Sequence, residues 1–385
     1  MVKSGLKGIT IPGEETEVVT RIRCVDCNTP YPLTGLPYRC PDCGGIYDFD
    51  GPPFFSPERL EDGLPGYWRY RHSFSLVEGA PLVSLGEGNT PLLWEKFEGQ
   101  KVALKLESLQ PTGSYKDRGS AVLISQLLGR GVHEAVEDSS GNAGASFAAY
   151  AAQAGLNCRV YVPEAASGPK RVQIEQYGAK LVRIPGPRSE AARAVLVEAD
   201  AGVAYASHAY LPFGLPGIAT IAYEIWEQLG RQAPGSLVAP VGHGGLLLGI
   251  VRGFSALQSS RLIDRQPFYL GVQAAACDPV VRAFQHGLGA MADAGEEATV
   301  AEGVRVRMPV RARALIQEIQ PDQGAFCAVP EDDILPAFHS LARRGYYVEP
   351  TSALAWAVLS TWITKLPKPV VVVLSGLGLK YMPST

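Results

Sequence analysis

No single sign of charge dominates this chain: 35 Lys and Arg stand against 38 Asp and Glu, a formal net charge of -3 over 385 residues. That removes any sequence-wide electrostatic case for nucleic acid or an anionic membrane as the main partner. Long apolar runs are also missing. The best one, residues 237–251, is interrupted by Pro240, His243 and four glycines, and makes a poor membrane span. The opening stretch, MVKSGLKGIT, has no apolar segment of the kind a secretory signal needs, so the expected compartment is the cytoplasm. Disorder is excluded by composition, because 46% hydrophobic residues against 19% charged is a globular balance. The length suggests two or three domains.

Seven cysteines are present. Without a secretory signal, disulfides are a poorer reading than metal for the pairs Cys24-x2-Cys27 and Cys40-x2-Cys43. The pair spacing is that of a tetrahedral, all-thiolate zinc site, and Gly44 and Gly45 permit a tight second knuckle. Thiols that are simply buried, or a site that has lost its metal, would read the same. Asp26, Asp42, Asp48 and Asp50 face few basic residues here, which favours a structural plug or subunit contact over a nucleic-acid reader. Cys158, Cys277 and Cys327 are isolated and expected to be reduced, buried, structural thiols.

Residues 51–90 are rich in Pro, Gly and aromatics and read as a linker wrapped on the core. From about residue 91 a strand–helix rhythm begins. Strands are expected at 102–106, 135–137, 158–162, 181–184, 237–241 and 370–374. Helices are expected after Lys116 up to the stop signals Gly129 and Gly131, and at 143–154, 170–177, 189–199 and 218–229. Such alternation is the mark of parallel sheets with covering helices.

Four constellations carry chemistry. In Ser108-Leu-Gln-Pro-Thr-Gly-Ser-Tyr-Lys116-Asp117-Arg118-Gly119, a Pro–Gly turn places a lysine where a helix begins. The positive helix end disfavours the ammonium and favours an amine able to condense with a carbonyl. An ordinary surface lysine in a first helical turn fits the same residues. In Asp138-Ser-Ser-Gly-Asn-Ala-Gly144, free N–H groups and the Ser139 and Ser140 hydroxyls suit a carboxylate, and Asn142 a polar ring substituent. A simple N-cap would look alike. Pro240-Val-Gly-His-Gly-Gly-Leu246 suits a phosphate, but matches neither the dinucleotide nor the P-loop pattern. A tight turn with packing glycines is the plainer reading. Ser375-Gly-Leu-Gly-Leu-Lys380 follows the VVVVL strand, where open α/β sheets place ligand groups, or forms a plain loop.

In this order, the four sets resemble the tryptophan synthase β-type (fold type II) family of pyridoxal-phosphate enzymes, with threonine synthases the nearest branch. GEGNTPLL (86–93), PTGSYKDRG (111–119), SSGNAGAS (139–146), PVGHGGLLLG (240–249), VEPTSA (348–353) and SGLGLK (375–380) are similar to that family's blocks. The resemblance runs from about residue 80 to the end, and the cysteine-paired start is similar to one found on some threonine synthases. It implies two three-layer α/β/α domains with mostly parallel sheets. A zinc-ribbon-like segment (1–50) and the linker (51–90) precede a large cofactor domain (91–117 and 207–385) and a small α/β domain (118–206).

The resemblance further implies that Lys116 forms the internal aldimine with pyridoxal 5'-phosphate and shuttles protons. Asn142 would bond the ring oxygen, and Gly242, His243, Gly244, Gly245 and Leu246 the phosphate. Ser375 would contact the pyridine nitrogen. Ser139, Ser140, Gly141 and Ala143 would hold the substrate carboxylate. Zn2+ on Cys24, Cys27, Cys40 and Cys43 would be structural. The implied partners are a small amino acid and a second copy of the chain, as homodimers are the common default.

One segment departs from the pattern. Threonine synthases of this kind carry Asn-Pro-Tyr-Arg before Glu-Gly-Gln-Lys-Thr, whereas residues 208–220 read HAYLPFGLPGIAT, without the arginine or the lysine. The last motif also reads Gly-Leu-Gly where Gly-His-Gly is common. Clamping of a phosphorylated substrate would then fall to Arg171, Arg188, Arg305, Arg307 or Arg311, each of which also fits a solvated surface charge. Three activities stay open: conversion of O-phosphohomoserine to threonine, a serine/threonine dehydratase or β-replacement reaction, and a catalytically silent zinc-ribbon binding protein.

Overall fold

The computed structural model describes residues 21–165, 168–295 and 297–382. The opening stretch that lacks a signal-like segment lies outside the described residues, as do the first 20 residues of the expected ribbon.

Twelve strands form three sheets among the described residues. A short antiparallel pair, β1 (Ile22–Cys24) and β2 (Tyr47–Phe49), carries the cysteine knuckles. The next strands are β3 (Leu92–Phe97), β4 (Gln100–Lys105), β5 (Glu134–Glu137), β6 (Asn157–Pro163), β7 (Lys180–Ile184) and β8 (Ala204–Tyr205). They are followed by β9 (Ser236–Pro240), β10 (Phe268–Ala274), β11 (Gly324–Val329) and β12 (Val370–Val373). A six-stranded sheet runs in the order β11-β10-β9-β12-β4-β3, parallel except for the β3–β4 edge hairpin. A four-stranded, wholly parallel sheet runs β7-β6-β5-β8.

The centre of the larger sheet shows why the valine run folds as it does. β12 is buried along its whole length. Val371 and Val373 face one apolar cluster with Ala103, Leu237 and Ala239, while Val370 and Val372 face another with Val102, Leu104 and Val238. Both faces are therefore covered, and each fully buried valine contributes roughly 1.5–3 kcal/mol. The result is a three-layer α/β/α arrangement.

The helices that position the site are α1 (Lys116–Gly129), α2 (Asn142–Ala154), α3 (Pro169–Gln176), α4 (Arg188–Asp200), α5 (Leu215–Gln228) and α6 (Gly245–Ser259). α1 packs against both α2 and α5, which joins the two parallel sheets. α5 lies close along α6 because Gly249 has no Cβ: an added one would stand 2.6 Å from Ile218 Cγ2.

A buried charge network locks this junction. Arg118 pairs with Glu107 and Glu224 at 2.7 Å each, and Lys105 Nζ lies 2.6 Å from Glu224 Oε2. Two cations meet two carboxylates, and the remaining lone pairs are taken by Thr90, whose hydroxyl donates to Glu107 across 2.7 Å, and by the Gln110 amide at 3.0 Å. A balanced, hydrogen-bonded set of this kind is what makes such burial tolerable.

Residues 51–90 are more than a covering strap. Tyr67, Trp68, Tyr70 and Phe74 are buried, and Glu87 accepts from Trp68 Nε1 at 2.7 Å and from the Tyr150 hydroxyl at 2.8 Å. Of the three isolated thiols, Cys277 is buried, but Cys158 and Cys327 are only partly so. Both of these sit in strands next to an outer strand of their sheet, or on it, where one side is less covered.

Candidate active site

All four chemical constellations lie at the carboxyl ends of parallel strands, the usual position for ligands in open α/β sheets. Lys116 is the first residue of α1, as its sequence context predicts. The turn before it is held from three sides. Asp117 accepts from Thr112 N at 2.7 Å, Lys380 Nζ donates to Thr112 O at 2.7 Å, and Leu377 N donates to Gly113 O at 2.9 Å. Gly113 has φ +84°, a conformation that favours glycine, and a Cβ there would lie 3.2 Å from both Leu377 and Lys380. The serine loop thus packs on the lysine turn. Tyr115 N also donates to Ser375 O at 3.1 Å, and Ser375 Oγ lies 3.1 Å from Ser352 Oγ. Burial drives the Asp117 carboxyl up to about 6 and the Lys380 ammonium down to about 8.

The asparagine loop follows β5. Ser139 is buried and its hydroxyl accepts from Gly141 N at 3.2 Å, which shapes the turn into α2. Ser140 is partly exposed and Ala143 buried at the start of that helix. Asn142 Nδ2 donates to Glu349 Oε2 at 2.6 Å, and Lys170 Nζ pairs with the other Glu349 oxygen at 2.5 Å. Asn142 Oδ1 is buried with no partner.

The glycine loop follows β9 and opens α6. Gly244 takes φ +96°, and a Cβ there would stand 2.8 Å from Leu315 Cδ1. Gly242 is equally constrained, its added Cβ lying 2.8 Å from Gly303 O. At Gly245 the nearest atom would be Leu215 Cδ2 at 3.9 Å, so this residue fronts open space. Leu246 is buried on α6, while His243 Nδ1 is buried without a partner.

Lys116, His208, His243, Gly245 and Arg311 line one narrow cavity. Behind it stands a group that no local motif marks. Glu137, at the end of β5, is buried, and its Oε1 lies 3.1 Å from His208 Nδ1. The His208 and His243 rings meet edge to face at 5.8 Å. Burial, eased only partly by the Asp138 amide and by Lys116 and Arg188, pushes the Glu137 carboxyl up to about 7. Burial and then the Lys116 charge hold His208 well below the ordinary imidazole value. The one signal in the sequence is the adjacent carboxylates Glu137-Asp138 before the serine loop, but their partner lies 71 residues away.

Arg311 is neither a solvated charge nor free to clamp a substrate phosphate. It is buried, and its guanidinium donates to Ala209 O, Tyr47 O and Tyr210 O at 3.1, 2.8 and 2.7 Å. Its backbone N–H meanwhile bonds His243 O at 3.0 Å. It fastens the cysteine segment, the 209–210 loop and the glycine loop together. Arg188, Arg305 and Arg307 are exposed, and Arg171 is partly so.

The four paired cysteines are brought together elsewhere, with their ligand atoms all within 4.8 Å of one another. Cys24–Cys43, Cys27–Cys43 and Cys27–Cys40 sulfurs stand 3.4, 3.4 and 3.6 Å apart. A tetrahedral shell with Zn–S near 2.3 Å needs sulfurs about 3.8 Å apart.

Comparison with known proteins bears on this arrangement. Residues 83–376 match the model of the pyridoxal-phosphate dependent enzyme family. The chain is 34% identical over 337 residues to a threonine synthase of Methanocaldococcus jannaschii, covering 84% of this chain and 83% of that one. It is equally 34% identical over 324 residues to a threonine synthase of Mycobacterium tuberculosis, covering 81% and 87%. Among solved structures, a threonine deaminase from T.th. superposes with a TM-score of 0.62 at 29% identity, covering 77% of this chain and 93% of that one. A serine racemase from Dictyostelium discoideum shares the fold, with a TM-score of 0.64 at 24% identity over 74% of this chain and 92% of that one.

Proposed function

The chain belongs to the fold type II family of pyridoxal-phosphate-dependent enzymes as a threonine-synthase-like lyase, and on that premise we propose that it holds the cofactor through Lys116 and works on the side chain of a small amino acid. The observation that carries this reading is the shared cavity of Lys116, His243 and Gly245, with Ser375 tied to the adjacent Tyr115. The residues present fit the cofactor. Asn142 Oδ1, Ser114 Oγ and His243 Nδ1 are buried polar atoms without partners, and Gly244 and Gly245 begin a helix whose N–H groups suit a phosphate.

When bound, pyridoxal phosphate supplies an electron sink at the substrate α-carbon. The chain's own residues do the rest. Lys116 takes and returns the α-proton. Asn142 would orient the ring oxygen, the 242–246 amides would hold the phosphate, and the Ser375 hydroxyl would meet the ring nitrogen. The Ser139–Ala143 loop, at the positive end of α2, binds the substrate carboxylate.

The specific reaction we favour converts O-phosphohomoserine and water to threonine and phosphate. Its support is the similarity to threonine synthases over four fifths of the chain. A second reading, dehydration of serine or threonine, rests on one observation: Gly214 lines the cavity within the segment that lacks the family's arginine and lysine, and Arg311 is already committed. Steady-state assays separate them. Phosphate release from O-phosphohomoserine is expected. Its absence, with turnover of serine, threonine or O-phosphoserine, would overturn the threonine synthase assignment.

The cysteine cluster fits one Zn2+ in a structural role, since Arg313–Asp26 and Arg311–Tyr47 tie this segment to the body and none of the four cysteines lines the cavity.

A further inference from the structure

Loss of a hydroxyl and addition of water both move a proton at a side-chain oxygen. When a C–OH bond breaks, the oxygen keeps the bonding pair and requires a proton to leave as water; phosphate leaves as an anion and needs none. When water adds, that proton must be removed. Lys116 is occupied with the α-proton, so a second acid–base group is required near it. We propose that His208 is that group and that Glu137 is its positioning residue, an assignment that rests on the reading of Lys116 as the cofactor lysine.

The geometry is specific. His208 Nδ1 lies 3.1 Å from Glu137 Oε1, which fixes the ring and leaves Nε2 for the cavity that His208 shares with Lys116. Glu137 is itself fixed, because its Oε2 accepts the Asp138 amide at 3.1 Å. The charged and titratable groups facing His208 are Lys116 of α1, Glu137 and Asp138 at the end of β5, Arg188 of α4, and His243 and Arg311 beside the glycine loop. Burial first, then Lys116 and Arg188, disfavour a permanent imidazolium, which keeps the imidazole able to exchange its proton. No fixed cation in residues 208–220 competes for the substrate's side chain.

In the elimination step of a substrate whose leaving oxygen sits on Cβ, as in serine or threonine, the α-proton passes to Lys116, and its electron pair forms the Cα–Cβ double bond. The C–O bond breaks toward oxygen, which takes a proton from His208 Nε2 while the neutral Glu137 carboxyl passes its own to Nδ1. In the hydration step an attacking water gives its proton to His208 Nε2 as the new C–O bond forms at Cβ; the double-bond pair ends on Cα, which takes its proton back from Lys116. The steps balance without an added reactant.

The test compares cofactor-loaded wild type with His208→Gln and Glu137→Gln, using O-phosphohomoserine, serine and threonine. His208→Gln should keep the cofactor's visible absorbance and exchange the substrate α-proton with D2O at a rate within about twofold of wild type. Its product formation should fall about 100-fold or more, the usual scale for a lost general acid or base. Glu137→Gln should move the pH profile of product formation. In 15N-histidine NMR of the same protein, it should shift the one resonance that disappears in His208→Gln. Parallel loss of exchange and product, or unchanged product formation, overturns the proposal. Retention of the absorbance in Lys116→Ala removes the premise, and the proposal with it.

Discussion

Asp117 binds Thr112 twice, accepting the backbone N–H at 2.7 Å and the hydroxyl at 2.5 Å, and so closes the turn that aims Lys116. An asparagine cannot accept both bonds in the same geometry. Asp117→Asn should therefore cost about 1–3 kcal/mol through a buried unpaired donor. It should also weaken cofactor retention, read as loss of visible absorbance on dialysis. Unchanged melting and retention would show that the turn is held by other contacts.

Glu137 gives the fold a pH dependence of definite sign. Its carboxyl is raised from 4.5 to about 7 in the folded chain, mainly by burial. The associated stabilisation is fully present below about 4.5 and is lost as pH rises through 7. A shift of this size corresponds to a few kcal/mol, on the order of 3. Melting midpoints of wild type should fall relative to Glu137→Gln between pH 5 and 8. Curves that stay parallel over that range would contradict it.

The cysteine cluster should hold about one zinc per chain in protein purified without chelator, because four thiolates at this spacing close a tetrahedral shell. Cys24→Ser should lower the melting midpoint more than it lowers turnover. Metal analysis finding no zinc, with all four thiols freely titratable, would rule the site out.

The alternation of strands and helices is legible wherever apolar runs are punctuated by glycine. The helix from Asn142 ends at Gly155 with φ +64°, as its sequence predicts. β10 and β11 leave no such signal, because FYLGVQA carries a central glycine and GAFCAV is short, and their pairing joins residues more than 50 positions apart. The helix Glu331–Arg343 is masked by Pro336, which reads as a breaker. At the site, the residues in glycine-rich loops stand out because loop chemistry leaves local patterns. Glu137, His208 and Glu349 do not, since their roles come from partners brought together only by the fold. Arg311 differs from its expected role for the same reason: nothing local marks an arginine whose partners are three distant carbonyls and the Asp48 carboxylate.

The central claim is that Lys116 holds the cofactor, and borohydride reduction of the purified enzyme followed by peptide mapping tests it most directly. The account predicts one cofactor mass fixed on the peptide containing Lys116, with the visible absorbance lost in Lys116→Ala. Trapping on any other lysine, or an undiminished absorbance in that variant, would contradict it.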